Sequence, residues 1–260
     1  MNRRFLCLCA AVHWAGSLCL AGAPDIAITN GRNFSVAVFR FWAPPGVGTL
    51  RGVTVLVPGS NSDGRGQVDE AFWRAFAQRH DLALVGCCFK DRPHDNMNVE
   101  EYARAGDGSG AALLEALRRF GESSGHPEAA KAPLLLWGMS AGGEFNYEFA
   151  CWRPDRVAAF VVNKGGYYFT HLAPPAARNV PGIFFIGSDD ADFRKESIRG
   201  IFAVNHEAGA RWRLVVEPHV GHAPGNSPEL AVGFFEESLG GRPERCGRSP
   251  RATPCAVAAA

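Results

Sequence analysis

The sequence carries almost no excess of charge of either sign. Of its 260 residues, 27 are Lys or Arg and 26 are Asp or Glu, so the formal net charge is +1. Proteins that bind nucleic acid or an anionic membrane through a charged face generally carry a basic excess. The composition therefore gives no support to either kind of partner.

The sequence also lacks the motifs of a metal site. It contains no CxxC motif and no Cys/His spacing typical of zinc binding. An internal repeat and a heptad run are absent as well, which argues against a repeat protein or a coiled coil. We therefore expect neither a metal nor an organic cofactor.

An apolar run long enough to span a membrane is missing. The run that follows Arg3 and Arg4 is interrupted by His13 and Gly16 and is short for a span. Basic residues, a short apolar stretch and small residues around 21–23 are typical of a secretory signal peptide. We predict a signal peptide over 1–23, cleaved nearer Ala21, and a secreted or periplasmic protein without stable membrane insertion. An N-terminal anchor that is never cleaved is the alternative.

Five of the eight cysteines lie after the signal peptide, at positions 87, 88, 151, 246 and 255. Because five is an odd number, one thiol must stay free or pair between chains. Cys87, Cys88 and Cys151 lie in apolar segments, where buried free thiols are expected. Residues 241–260 have no apolar periodicity, so we predict a flexible tail there. Cys246 and Cys255 in that tail could close a small disulfide loop in an oxidising compartment.

Strand-like and helix-like segments alternate between residues 24 and 240. Short apolar runs predict strands over 34–44, 52–59, 82–89, 133–139, 156–166, 181–188 and 211–218. Helical spacing predicts helices over 67–80, 108–122, 141–153, 192–209 and 228–239, with Ser109 and Asp192 as candidate caps. The pattern predicts one α/β domain with a mostly parallel twisted sheet and helices on both faces. Ligands of such sheets bind at the carboxyl ends of the strands.

The most informative motif is Gly138-Met139-Ser140-Ala141-Gly142, which matches G-x-S-x-G. It lies between a predicted strand and a predicted helix, the context of a nucleophile elbow. The glycines allow the tight turn, and the N-terminus of the helix favours an anion at the serine. Ser140 is therefore the candidate nucleophile. An idle serine at a glycine-rich helix start is the less favoured interpretation.

A serine nucleophile needs a base and an acid that orients the base. After the last strand, His222 lies in a Gly- and Pro-containing loop, and we prefer it to His219 at the strand exit. After the preceding strand, Asp190 is our first choice of acid, followed by Asp192 and Asp189. The resulting order of Ser, Asp and His along the chain is that of the α/β-hydrolases.

Two backbone amides are candidates for an oxyanion hole. One belongs to Ala141, directly after the nucleophile, and the other to Ser60 in the loop 57–66, with Asn61 as its alternative. Residues 163–180 are too few for a large lid, so we expect an open cleft. Asn61, Tyr167 and Tyr168 are candidate substrate-binding residues, although the aromatic rings could equally pack the loop against the body.

With these motifs in place, the chain resembles the α/β-hydrolase superfamily over nearly all of 24–240. The segment GMSAGGEFNYEFACWRPDRVAAFVVNKGG, the acid loop GSDDAD and the histidine loop GHAPG are similar to the secreted esterase branch around polyhydroxybutyrate depolymerases and feruloyl esterases. Dienelactone hydrolases are similar in size but usually use cysteine as nucleophile. Many relatives begin the oxyanion loop with His-Gly, whereas this chain has Pro58-Gly59-Ser60.

The resemblance implies a single-domain α/β-hydrolase fold with a minimal lid, and a serine esterase with Ser140, Asp190 and His222 as its triad. It also implies a secreted enzyme that cleaves small-molecule or polymeric esters, aromatic esters or polyesters among them, through an acyl-enzyme. A peptidase or amidase of the same fold, a non-catalytic polymer-binding relative and a secreted scaffold are the alternatives.

Overall fold

The structure is a computed structural model that describes residues 24–29, 31–95 and 99–240. The proposed signal peptide over 1–23 and the proposed tail over 241–260 lie outside the described residues, as do Cys246 and Cys255. The cysteines that lie within the described residues, Cys87, Cys88 and Cys151, are free thiols.

The described residues form one eight-stranded sheet in the order β1-β2-β4-β3-β5-β6-β7-β8. β1 pairs antiparallel with β2, β2 pairs antiparallel with β4, and all other pairs are parallel. The sequence-based prediction of a mostly parallel sheet is thus confirmed. The strands are β1 (Ile26–Ile28), β2 (Val36–Trp42), β3 (Gly52–Val57), β4 (Leu82–Lys90), β5 (Leu134–Gly138), β6 (Val157–Asn163), β7 (Gly182–Gly187) and β8 (Arg213–Glu217).

Helices connect the parallel strands and cover both faces of the sheet. They are α1 (Ala71–His80), α2 (Ser109–Ser124), α3 (Ala141–Trp152), α4 (Pro175–Arg178), α5 (Asp192–Glu207) and α6 (Ser227–Ser238). Side chains alternate across each strand, so β3 directs Val53, Val55 and Val57 into one core cluster and Leu56 into the other. The first core packs α2 and α3 on the sheet, and the second packs α1 and α6.

The structure corrects several local predictions. β1 was not predicted, since three residues are too few for a periodic signal. The helix predicted over 67–80 is broken at Glu70 into a 3-10 turn and α1. Ser109 does not cap α2. It is the first residue of that helix, and buried Asn33 accepts its N–H at 3.0 Å. Asp192 does not cap α5 either, because it is the first helical residue and pairs with Lys195 at 2.9 Å.

The connection between β6 and β7 is short. Residues 164–181, all of which the structure describes, include only the four-residue helix α4. Across the described ranges, no helix combines the length and the apolar character needed to cross a membrane. The carboxyl ends of the central strands are therefore left without a helical lid from this connection.

A buried ion pair lies where β6 and β8 end. Lys164 is fully buried, and its Nζ donates to the Glu217 carboxylate and to Asn163 Oδ1, the latter at 2.9 Å. Glu217 also accepts the N–H of Asn226 at 2.7 Å. Because Asn226 directly precedes α6, the ion pair fixes the far end of the loop over 218–226, which we call the histidine loop.

We expect Lys164→Met to lower the free energy of unfolding by about 3 to 5 kcal/mol, because it leaves the Glu217 carboxylate buried without its cation. Adding Glu217→Gln to that variant removes the orphaned charge, so the double variant should regain part of the loss. Denaturant unfolding of the three proteins measures both effects. A double variant no more stable than Lys164→Met would contradict this account.

Candidate active site

Ser140 lies in a strained turn between β5 and α3. Its φ is 54° and its ψ is −123°, a backbone conformation that residues other than glycine rarely adopt. The turn is held by the Ser140 N–H, which donates to the carbonyl of Asn163 at the end of β6 at 2.7 Å. In this turn Ser140 directly precedes α3, so its hydroxyl lies beyond the end of β5, at the start of that helix.

The turn leaves no room for a side chain at either flanking glycine. A Cβ on Gly142 would overlap the carbonyl oxygen of Val57 and lie 2.6 Å from that of Pro58. A Cβ on Gly138 would overlap the backbone of Gly142. The two flanking glycines are therefore required by close backbone packing, Gly142 against the end of β3 and Gly138 against the first turn of α3.

The histidine loop brings His222 to the serine. Its Nε2 lies 3.0 Å from Ser140 Oγ, and its Nδ1 lies 2.9 Å from Asp190 Oδ2. Both distances are within hydrogen-bonding range, so the three side chains form one continuous relay. The structure thus brings together the three residues that the sequence nominated as nucleophile, base and acid.

Asp190 is buried at the end of β7, while its alternatives are not in contact with the imidazole. Its second oxygen, Oδ1, accepts the N–H of Ala191 at 2.7 Å and lies 3.3 Å from Arg194 Nη1. Asp189 is exposed, and the side chain of Asp192 is 93% exposed. His219, the alternative base, is also exposed, and its N–H donates to Ser188 Oγ.

Two backbone amides lie in segments that adjoin Ser140. Within the described residues, the N–H groups of Ala141 and Ser60 have no hydrogen-bond acceptor. Ala141 opens α3, and Gly59, next to Ser60, approaches so closely that its Cβ would lie 3.6 Å from Ser140 Cβ. Both free donors therefore lie in segments that adjoin the hydroxyl.

Asn61 forms hydrogen bonds with the end of β4 and the segments that follow it. Its N–H donates to the Tyr102 hydroxyl at 3.3 Å, and its Oδ1 accepts the N–H of Asp91 at 2.7 Å. The carbonyl of Asn61 accepts from Lys90. These contacts make Asn61 an anchor between the loops after β3 and β4, which weakens its case both as an oxyanion donor and as a substrate contact.

The two tyrosines of the loop after β6 point in different directions. Tyr168 packs edge-on against Tyr147 of α3 at 5.3 Å, and its hydroxyl is buried. This placement speaks against Tyr168 as a substrate contact and favours the structural role that the sequence left open. Tyr167 packs against Phe193 at 5.7 Å and stays half-buried at the protein surface.

Sequence reasoning missed two buried acids on α3, Glu144 and Glu148. Glu144 Oε1 accepts the N–H groups of Gly166 at 2.6 Å and Tyr167 at 3.1 Å. Glu148 Oε1 accepts those of Phe169 and Thr170, both at 2.8 Å. Two acids at i and i+4 in a mostly apolar helix are the signal that could have revealed this anchoring of the loop after β6.

The carboxyl group of Glu144 is perturbed by its surroundings. Burial raises its pKa most, the N–H groups of Gly166 and Tyr167 lower it, and the nearby Glu100 carboxylate raises it, so that the resulting pKa is about 7. Its Oε2 is buried without a hydrogen-bond partner among the described residues. Those residues also contain no group of three or more His, Cys, Asp or Glu that could hold a metal ion.

Gly142→Ala should destabilise the protein by about 3 kcal/mol or more, because the added methyl overlaps backbone atoms that cannot move independently. Gly200→Ala is the matched control, since it is also a helical glycine but has open space at its Cβ. We expect that control to be neutral or to stabilise by up to about 1 kcal/mol. Denaturant unfolding compares the two, and equal effects would refute the close packing.

Glu144→Gln should change the pH dependence of stability. The folded state holds the proton of Glu144 up to about pH 7, whereas the unfolded state releases it near its ordinary value of 4.5. The stability that the wild-type acid contributes is thus full below pH 4.5 and is lost as the pH rises through 7. Relative to the variant, the wild type should lose about 3 kcal/mol between pH 4 and 8. A difference that stays constant with pH would contradict the raised pKa.

Comparison with known proteins connects this geometry to a fold. Neither a family model nor a curated protein sequence matches the chain significantly. Among solved structures, it is similar to poly(aspartic acid) hydrolase-1 from Sphingomonas sp. KT-1, with a TM-score of 0.56 and 17% identity over 84% of this chain and 97% of that one.

Two further structures are similar. A poly(3-hydroxybutyrate) depolymerase from Bordetella parapertussis gives a TM-score of 0.57 and 19% identity over 84% of this chain and 86% of its own. Thermogutta terrifontis esterase 2, phosphorylated by paraoxon, gives 0.54 and 15% over 83% and 93%. Together with the strand order and the placement of the serine turn, these likenesses show that the chain has the α/β-hydrolase fold.

Proposed function

We propose that the protein is a serine hydrolase that cleaves carboxylic esters through an acyl-enzyme intermediate. The observation that carries this proposal is the relay from Ser140 through His222 to Asp190, with separations of 3.0 and 2.9 Å. It is supported by the similarity to solved esterases and polymer hydrolases, one of which is phosphorylated by paraoxon.

Acylation begins with the transfer of a proton from Ser140 Oγ to His222 Nε2 as the oxygen attacks the ester carbonyl. The imidazole keeps its other proton on Nδ1, where the Asp190 carboxylate accepts it and stabilises the imidazolium. His222 then donates the new proton to the departing alcohol. In deacylation a water molecule takes the place of the alcohol, and the same transfers release the acid and restore the serine.

The negative charge that develops on the carbonyl oxygen needs donors that are already in position. The free N–H groups of Ala141 and Ser60 suit this role, and each such donor contributes about 3 kcal/mol of transition-state stabilisation. The N-terminus of α3 adds its positive dipole end at the same place. The Ser60 hydroxyl contacts the buried Glu100 carboxylate, which orients the residue that supplies the second amide.

Open access to Ser140 supports a substrate that carries a bulky group on at least one side of the ester bond. The short connection between β6 and β7 provides no large lid, and the side chain of His222 is one-third exposed. Together with the signal peptide predicted over 1–23, this openness supports an ester encountered outside the cytoplasm, a polymeric one included. No nucleic-acid partner and no cofactor enter the proposal.

A fluorophosphonate probe should label the purified protein on Ser140, and Ser140→Ala should abolish the labelling. The same variant should lower kcat for a p-nitrophenyl ester by at least about 10⁴-fold, because the nucleophile is lost. Labelling followed by peptide mass spectrometry and steady-state assays give both results. An unlabelled wild-type protein would favour a non-catalytic binding role.

The alternative residues provide matched controls. His222→Asn and Asp190→Asn should lower kcat strongly, whereas His219→Asn and Asp192→Asn should leave it nearly unchanged, since neither side chain contacts the relay. Asparagine tolerates the positive φ of 58° at His219.

Replacing the p-nitrophenyl ester by the matching p-nitroanilide distinguishes ester hydrolysis from amide hydrolysis. Faster turnover of the anilide would assign an amidase instead.

A further inference from the structure

Two aromatic side chains lie together where the loops after β6 and β7 meet. Tyr167 belongs to the loop after β6 and Phe193 to the first turn of α5, and their ring centroids are 5.7 Å apart with planes tilted by 37°. Phe193 is 44% exposed although it is a large apolar residue. We call this pair the aromatic shelf. An isolated exposed ring needs no explanation, but a held pair beside a catalytic relay does.

The aromatic shelf is fixed from behind by the backbone of the β6 loop. A Cβ on Gly166 would lie 3.1 Å from the Phe193 ring and 3.2 Å from Arg194 Cγ, so both side chains pack directly on that glycine. Gly166 and Tyr167 are held in turn by the buried carboxylate of Glu144. The shelf therefore has a defined position even though it faces solvent.

The aromatic shelf is also joined to the relay at both ends. Arg194 stacks its guanidinium over the Phe193 ring at 4.5 Å and lies 3.3 Å from Asp190, the acid behind His222. At the other end, the N–H of Glu144 donates to the carbonyl of Ser140 at 3.1 Å. These contacts connect the aromatic shelf to Ser140 from both sides. The shelf therefore lies along the same edge of the sheet as the Ser140 hydroxyl.

The chemistry of the aromatic shelf favours a flat aromatic ligand. Aromatic rings gain from offset or edge-to-face contact with other rings beyond what burial of area provides, and a saturated ring of equal size does not. Arg194, drawn towards Asp190, covers part of the Phe193 ring and holds its orientation. The exposed part of the Phe193 ring carries no hydrogen-bonding group, so it offers a purely apolar ring surface to a ligand.

We propose that the aromatic shelf of Tyr167 and Phe193 is a substrate subsite that binds a planar aromatic ring attached to the ester. This subsite rests on the proposed ester hydrolysis, and it names the class of substrate: an ester with an aromatic ring in its acyl or alcohol part. The buried Glu144 and the Arg194–Asp190 contact are the elements that keep the subsite aligned with Ser140.

The test compares substrates that differ only in ring planarity. Ethyl 3-phenylpropanoate is paired with ethyl 3-cyclohexylpropanoate, phenyl acetate is paired with cyclohexyl acetate, and ethyl acetate reports the basal reaction. We expect the wild type to prefer an aromatic member and Phe193→Ala to lower kcat/KM for that member about tenfold. The activity towards ethyl acetate should change little. Tyr167→Phe keeps the ring and should keep the preference.

Val204→Ala is the control for loss of an exposed apolar side chain from α5, since Val204 is 48% exposed and lies three turns further along the helix. This variant should leave kcat/KM unchanged for all five substrates. If Phe193→Ala lowers the rates for aromatic and saturated substrates equally, or changes none of them, the subsite is refuted.

A binding measurement tests the subsite independently of whether the protein hydrolyses esters. Saturation-transfer NMR with ethyl 3-phenylpropanoate is recorded on Ser140→Ala and on Ser140→Ala/Phe193→Ala. Transfer to the phenyl protons that disappears in the double variant supports the subsite even if the wild type turns over no ester. Equal transfer in both proteins overturns the subsite even if ester hydrolysis is established.

Discussion

The side chain and carbonyl of Asn163 join the two segments on which the site depends. Its carbonyl accepts the Ser140 N–H at 2.7 Å and so holds the strained serine turn. Its Nδ2 donates to the carbonyl of Pro224 at 3.2 Å and to Ser227 Oγ at 2.7 Å, at the end of the histidine loop. One buried residue at the end of β6 thus sets the position of Ser140 relative to His222, and buried polar groups of this kind persist only when they are fully paired.

Buried acidic residues are used repeatedly to hold loops in this molecule. Glu144 and Glu148 hold the loop after β6 through backbone N–H groups, and Glu217 with Lys164 holds the histidine loop. Such carboxylates are costly to bury, but each accepts several donors that a loop would otherwise leave to water. The loops can therefore be irregular in sequence and still present side chains at fixed positions.

The sequence predicted those features that depend on neighbouring residues along the chain. The strand, the glycines and the helix around Ser140 are local, and the order of Asp190 and His222 follows from which strand each one ends. The direction of Tyr168 could not be predicted, because it depends on Tyr147 from another segment. The same holds for Glu144, whose partners lie more than twenty residues away, and for Phe193, whose ring packs against Gly166 from another loop. Contacts between distant segments leave no periodic pattern.

The tight contact between Gly142 and the end of β3 limits which residues of such a molecule can change during evolution. The turn that carries Ser140 is built from backbone packed against backbone, so substitutions of side chains elsewhere have little effect on it. The walls of the cleft are built from side chains on loops, where replacement alters preference without disturbing the frame. Substrate range and reactive geometry can thus evolve on separate residues, which is one physical route by which proteins of under 20% identity retain the same backbone arrangement.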